Sequence, residues 1–154
     1  MSQNTFVHKL TKITLDIMFF GAIAGCILLP FFGWGLLDMF RYSIVSAFVY
    51  KPVMVAALLG TGLSAIFIMW QLKILLSSLL GGNPFVESNV ECFRRMALAC
   101  CFIACIFIIK CFLIFSVLSA VAVAASLAAT LFCLTLKDVF KQAVLYKEEN
   151  DLTV

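Results

Sequence analysis

The sequence predicts an all-α polytopic membrane protein: four transmembrane helices, with an amphipathic helical extension at the cytoplasmic C-terminus. Three observations carry this. Of the 154 residues, 64% are hydrophobic and only 12% are charged, whereas a soluble domain carries about 25% charge. The mean hydropathy of +1.14 exceeds what a single water-soluble core can hide, so the surplus must face lipid. Most of the charges that remain fall between the long apolar runs.

The first run spans about 13–37. At ~1.5 Å per residue it crosses a ~30 Å hydrocarbon core with length to spare. Asp16 stands in its first turn, where it reaches water or Lys12, and Pro30 is expected to kink the far half. Gly21 and Gly25 form a small-xxx-small pair suited to close helix approach. Ile23-Ala24-Gly25-Cys26 also resembles a lipoprotein cleavage site. Asp16 interrupts the apolar region before it, however, and more apolar sequence follows, so the segment reads better as a span.

Residues 38–51 form a short connection. Pro52 is placed in the first turn of a second span over 52–72, where its missing N–H costs nothing. Gly60 and Ser64 repeat the small-xxx-small spacing, and Trp70 and Lys73 mark an interface. The loop 73–95 contains the breaker Gly81-Gly82-Asn83-Pro84. Ser88 and Glu91 then have capping-box spacing for a third helix.

From Met96 to Leu136 the chain is apolar except for Lys110. A single helix of that length would be about 60 Å long, twice the hydrocarbon thickness. It must fold back, with Ser116 and Ser119 as the turn candidates, giving spans over 96–116 and 118–136. The tail 137–154 repeats apolar residues at helical spacing (Leu136, Val139, Phe140, Ala143, Val144) opposite a charged side.

Charge sets the orientation. Four spans put Lys9, Lys12, Lys73, Arg94, Arg95, Lys137, Lys141 and Lys147 on one side, eight of the eleven Lys and Arg. The positive-inside rule makes that side cytoplasmic, with both termini.

The intramembrane charges are Lys110, Asp16 and Asp38. Lys110 is expected to snorkel outward along its helix or to pair with Asp38 at the outer end of the first span. The seven cysteines are odd in number and sit mostly inside spans, which excludes a secreted disulfide framework. They read as packing residues. Cys101 with Cys105, and Cys100 with Cys111, share helix faces, but no C-x-x-C or nearby histidine supports a metal site. No catalytic motif is present, so no catalytic residues, metal or cofactor are assigned. The net charge of +3 is too small and scattered to imply direct nucleic-acid binding.

Two polar segments carry a resemblance. The first is Gln71-Leu72-Lys73, then Asn83-Pro84-Phe85-Val86-Glu87-Ser88-Asn89-Val90, then Phe93-Arg94-Arg95-Met96-Ala97. The second is Phe140, Ala143, Val144, Tyr146, Lys147 and Glu149-Asn150-Asp151-Leu152-Thr153-Val154. Together they resemble a bacterial family known only as domain of unknown function 2975. The resemblance implies a small four-span inner-membrane protein, and its genomic setting implies a small helix-turn-helix transcription regulator as partner. Lys110 and the cysteine-rich third span lie outside the pattern.

The resulting expectation is a regulatory or signalling protein of the bacterial inner membrane that docks a cytoplasmic partner. Residues assigned to docking are Asn83, Pro84, Phe85, Glu91, Arg94 and Arg95 in the central loop, and Tyr146, Glu149, Asn150, Asp151 and Leu152 in the tail. Lipid surrounds the spans, and self-association is a further expectation. A small oligomeric transporter or channel, and an assembly or immunity-type factor that packs on another membrane protein, are the alternatives.

Overall fold

The computed structural model describes the backbone of residues 2–38, 44–82, 84–113 and 115–152, and the side chains of residues 9–32, 51–82, 84–113 and 115–150. Within those residues the chain is four helices: α1 (Ser2–Asp38), α2 (Ile44–Leu80), α3 (Glu87–Leu113) and α4 (Val117–Leu152). Each has a stretch long and apolar enough to cross a membrane. This is a multi-pass membrane architecture.

Several helices outrun the expected spans. α2 starts at Ile44, so Pro52 sits inside it, not in its first turn. α2 also continues past Lys73 to Leu80. Gly81 and Gly82 then end it: the Gly81 N–H bonds Ser77 O at 3.0 Å. Gly82 takes φ of +80°, a conformation a side chain would oppose. α3 begins at Glu87, one residue before the Ser88 expected as its cap. Glu91 does not reach back to cap it either. It reaches forward to Arg94 Nη2 (2.8 Å) and Arg95 Nε (3.2 Å).

The long apolar stretch folds back as its length requires, between Leu113 and Val117. Ser116 stands just before α4, and its carbonyl accepts the first bond there, from Ala120 N at 3.1 Å. Serine is a favoured residue at that position, so the reversal needs neither Gly nor Pro. Ser119 lies within α4 and is not part of the turn.

The helices pack in chain order. α1 lies on α2, α2 on α3 and α3 on α4, and among the described residues α1 touches neither α3 nor α4. The arrangement is an open row, not a closed bundle. The three contacts are antiparallel, and paired residues give their register: Asp16–Lys73 and Phe19–Trp70 for α1–α2, Ser78–Asn89 for α2–α3, Phe93–Phe140 for α3–α4.

The small-residue pairs behave differently from each other. Gly21 and Gly25 are exposed, and a Cβ on either would meet nothing within 4 Å. The helix contact expected there does not form. α1 instead meets α2 at Cys26, whose sulfur fills the space beside Gly62. The cysteine of the lipobox-like segment is thus a packing residue. Gly60 does admit a neighbour, with Ile106 of α3 pressed against it.

The core lies at one end of the row. Leu75, Phe93 and Met96 are buried together, with Ile68, Leu72, Cys133, Leu136 and Phe140 packed around them. Large apolar residues elsewhere, such as Phe31, Phe112 and Leu118, are exposed and face the position of lipid.

Candidate functional site

Charged residues from all four helices gather at the end that holds the core. Asp16 meets Lys73 at 2.5 Å, both about one-third exposed. The expected partner of Asp16, Lys12, is replaced because α2 extends alongside α1. The Lys73 ammonium also lies 4.9 Å over the Phe19 ring, and Trp70 meets Phe19 edge-on at 6.5 Å. Arg94 and Arg95 share Glu91, and Lys137 pairs with Asp138 at 3.1 Å. The helix registers place these groups at one level, as a belt. Aromatic rings with cations beside them are the usual dress of a membrane–water boundary.

Beyond the belt the helices project as one lobe. Here the loop and the tail, separate in sequence, are in contact. Phe140 of α4 packs on Phe93 of α3, ring centroids 4.9 Å apart, and on Phe85 of the turn at 6.0 Å. The apolar side of the tail is therefore partly used inside the protein. Pro84 is held through its carbonyl, which accepts from Asn89 Nδ2 at 2.7 Å.

Sequence reasoning missed Asn89 as an organising residue. It is fully buried and also donates to Ser78 Oγ at 3.0 Å. It ties the end of α2, the turn and the start of α3 together. A polar residue that recurs in a family-like segment was the available signal. Gln71, 3% exposed within α2, is a second buried amide that was not singled out.

Between the start of α3 and the end of α4 runs a cleft of about 400 Å³. Glu87, Val90, Glu91 and Arg94 line one wall, and Lys137, Lys141, Val144, Leu145 and Glu148 the other. Of the residues assigned to docking, Glu91 and Arg94 line this cleft. Phe85, Arg95 and Tyr146 are exposed on the same lobe, Pro84 is half-buried, and Glu149 and Asn150 continue α4 outward. Asn83 and the side chains of Asp151 and Leu152 lie outside the described residues.

Lys110 does not snorkel. It is 8% exposed, donates to Ser119 Oγ of α4 at 2.9 Å, and stands 5.6 Å from the Phe107 ring centroid. It turns inward because the α3–α4 reversal brings the Ser119 hydroxyl opposite it. It sits about 22 Å along α3 from Arg95, at 1.5 Å per residue. Burying an unpaired lysine in a membrane costs roughly 3 kcal/mol near the midplane. Asp38, the other expected partner, has its side chain outside the described residues. No carboxylate pairs with Lys110 among those that are described.

The cysteines also separate. Cys101 and Cys105 are exposed, whereas Cys100 is buried and lies near Cys133 of α4 across the α3–α4 seam. Shared helix faces in sequence did not reveal this pair, because it depends on the register between two helices.

The family described as a protein of unknown function (DUF2975) matches residues 37–154. The chain belongs to the DUF2975 family. The match takes in α2, α3 and α4, the turn with Asn89 and the whole tail, and begins at the last two residues of α1. No curated protein and no solved structure matches the chain.

Proposed function

We propose that this DUF2975 member is a non-catalytic regulatory protein of a bacterial inner membrane, with both ends in the cytoplasm, that docks a cytoplasmic partner on the lobe built by α3 and α4. The observation that carries the reading is the cleft between them. Its lining holds three apolar residues, Val90, Val144 and Leu145, three acids, Glu87, Glu91 and Glu148, and three bases, Arg94, Lys137 and Lys141. Apolar residues set among charges of both signs suit an amphipathic helix laid into a groove. A small helix-turn-helix regulator, the partner that the family resemblance brings in, presents such helices. The orientation rests on the basic belt, which the positive-inside rule places in the cytoplasm.

The transport alternative needs a polar path between Asp16 and Lys110. The buried α3 residues along that height are Met96, Ala97, Ala99, Cys100 and Ala104, none of them charged, which favours docking.

Co-purification in mild detergent with a small helix-turn-helix regulator tests the proposal. The wild-type chain should retain it. Val144→Glu with Leu145→Glu, which charges the apolar part of the lining, should release it at least about tenfold, as expected for loss of apolar anchors. Equal retention by this variant, or no retention by wild type, defeats the reading. A single cysteine placed at Asn150 in a cysteine-free chain should react with an impermeant maleimide only after cells are opened.

A further inference from the structure

We propose that Lys110 is the anchor of a binding site for a single-chain fatty carboxylate, entered sideways from the lipid. Beside Lys110, between α2 and α3, lies a cavity of about 290 Å³. Its other lining residues are Val53, Ala56 and Ala57 of α2 and Ile106, Ile109 and Leu113 of α3. Lys110 is the one charged or polar residue in that lining.

Three features make this a site for an anion with a hydrocarbon body. First, the cation is more than nine-tenths buried, and a buried charge demands a counter-charge. Second, an ammonium has three donors. Ser119 takes one of them, so two remain for the oxygens of a carboxylate, and the Phe107 ring flanks the cation. Third, Ile109 and Leu113 are both well exposed and form a lip on the lipid side. The small Ala56 and Ala57 hollow out the facing wall. Ile106, pressed on Gly60, closes the cavity along the seam.

The size of the opening selects the occupant. A helix with its side chains is about 10–12 Å across, too wide for a cavity of this volume, whereas one alkyl chain fits. The site is separate from the docking cleft, about 24 Å along α3 from Arg94 by helical rise, and does not depend on it.

The test uses the full chain in detergent and a fluorescent polyene fatty acid, cis-parinaric acid, beside its methyl ester. The acid should bind saturably, and the ester about tenfold or more weakly, because it lacks the charge that Lys110 pairs with. Lys110→Met should abolish the difference between acid and ester. Lys110→Arg should keep it. Ala56→Leu, which fills the cavity and leaves Lys110 in place, should weaken the acid.

Equal binding of acid and ester by the wild type overturns the proposal and leaves only partition into an apolar surface. Undiminished binding of the acid by Lys110→Met overturns it as well. Displacement of the probe by phosphatidylglycerol but not by palmitate overturns it in favour of a phospholipid headgroup. Should Lys110→Met fail to fold, the acid and ester comparison on wild type still decides.

Discussion

The α3–α4 hairpin and the α1–α2 pair have spans of similar hydropathy and very different packing. In the hairpin, the seam buries Phe93, Met96, Ala97, Cys100 and Ala104, and it continues past the membrane belt through Phe140. The apolar stretch of α1 has no buried residue. It rests on α2 through Asp16–Lys73, Phe19–Trp70 and the Cys26–Gly62 contact. The lesson is that apolar content places a helix in a membrane but does not attach it to its neighbours. In lipid, attachment comes from close fit and polar links, because hydrocarbon is as good a solvent for leucine as another helix is. The family match covers α2, α3 and α4 and reaches α1 only at its end.

The largest break in this comparison should come from the hairpin. Phe93→Ala removes a ring buried between Leu75, Met96 and Phe140. It is expected to cost about 3–5 kcal/mol, read as a drop in thermal unfolding temperature in detergent. A loss below that of any α1 substitution would reverse the ranking of the two regions.

Next comes Gly62→Leu, which puts a side chain where the Cys26 sulfur lies. Overpacking there should cost about 1–3 kcal/mol and should fall on α1 alone. Limited proteolysis would then release the N-terminal segment while α2–α4 stay resistant. If the whole chain became sensitive, α1 would be integral to the core.

Asp16→Asn should do less. The pair with Lys73 is about one-third exposed, and such pairs contribute about 1 kcal/mol or less. A double-mutant cycle with Lys73→Met measures the coupling, and a value well above that would mean the pair is shielded by lipid.

The smallest effect is expected for Gly21→Ala and Gly25→Ala. Neither meets an atom within 4 Å, so the melting temperature should hold or rise slightly from improved helix propensity. A clear loss would show that this face is covered in the membrane, for example by a second copy.

Much of the architecture was legible residue by residue. Lys73, Arg94, Arg95 and Lys137 marked the belt, and the length of 96–136 forced a reversal near Ser116. The helix limits were less legible. Residues 44–51 and 74–80 read as connections because they lie next to Pro52 and to the Gly81-Gly82 breaker, yet both are helical. Of the candidate sites, sequence picked out Lys110 and the loop and tail. It gave the wrong surroundings for Lys110, whose partner Ser119 had been placed in the turn. It missed Asn89 and the Cys100–Cys133 pair, each of which matters only through residues on another helix.

By itself, then, the sequence determined the membrane class, the four helices and the concentration of charge at one end. Those follow from local hydropathy and from lengths set against a bilayer of fixed thickness. Only the tertiary structure decided that the helices form an open row, that loop and tail share one cleft, and that Lys110 turns inward beside an apolar cavity. These depend on the register between helices, and register is set by which small and large side chains fit across a seam. A hydropathy pattern along one helix does not contain that information.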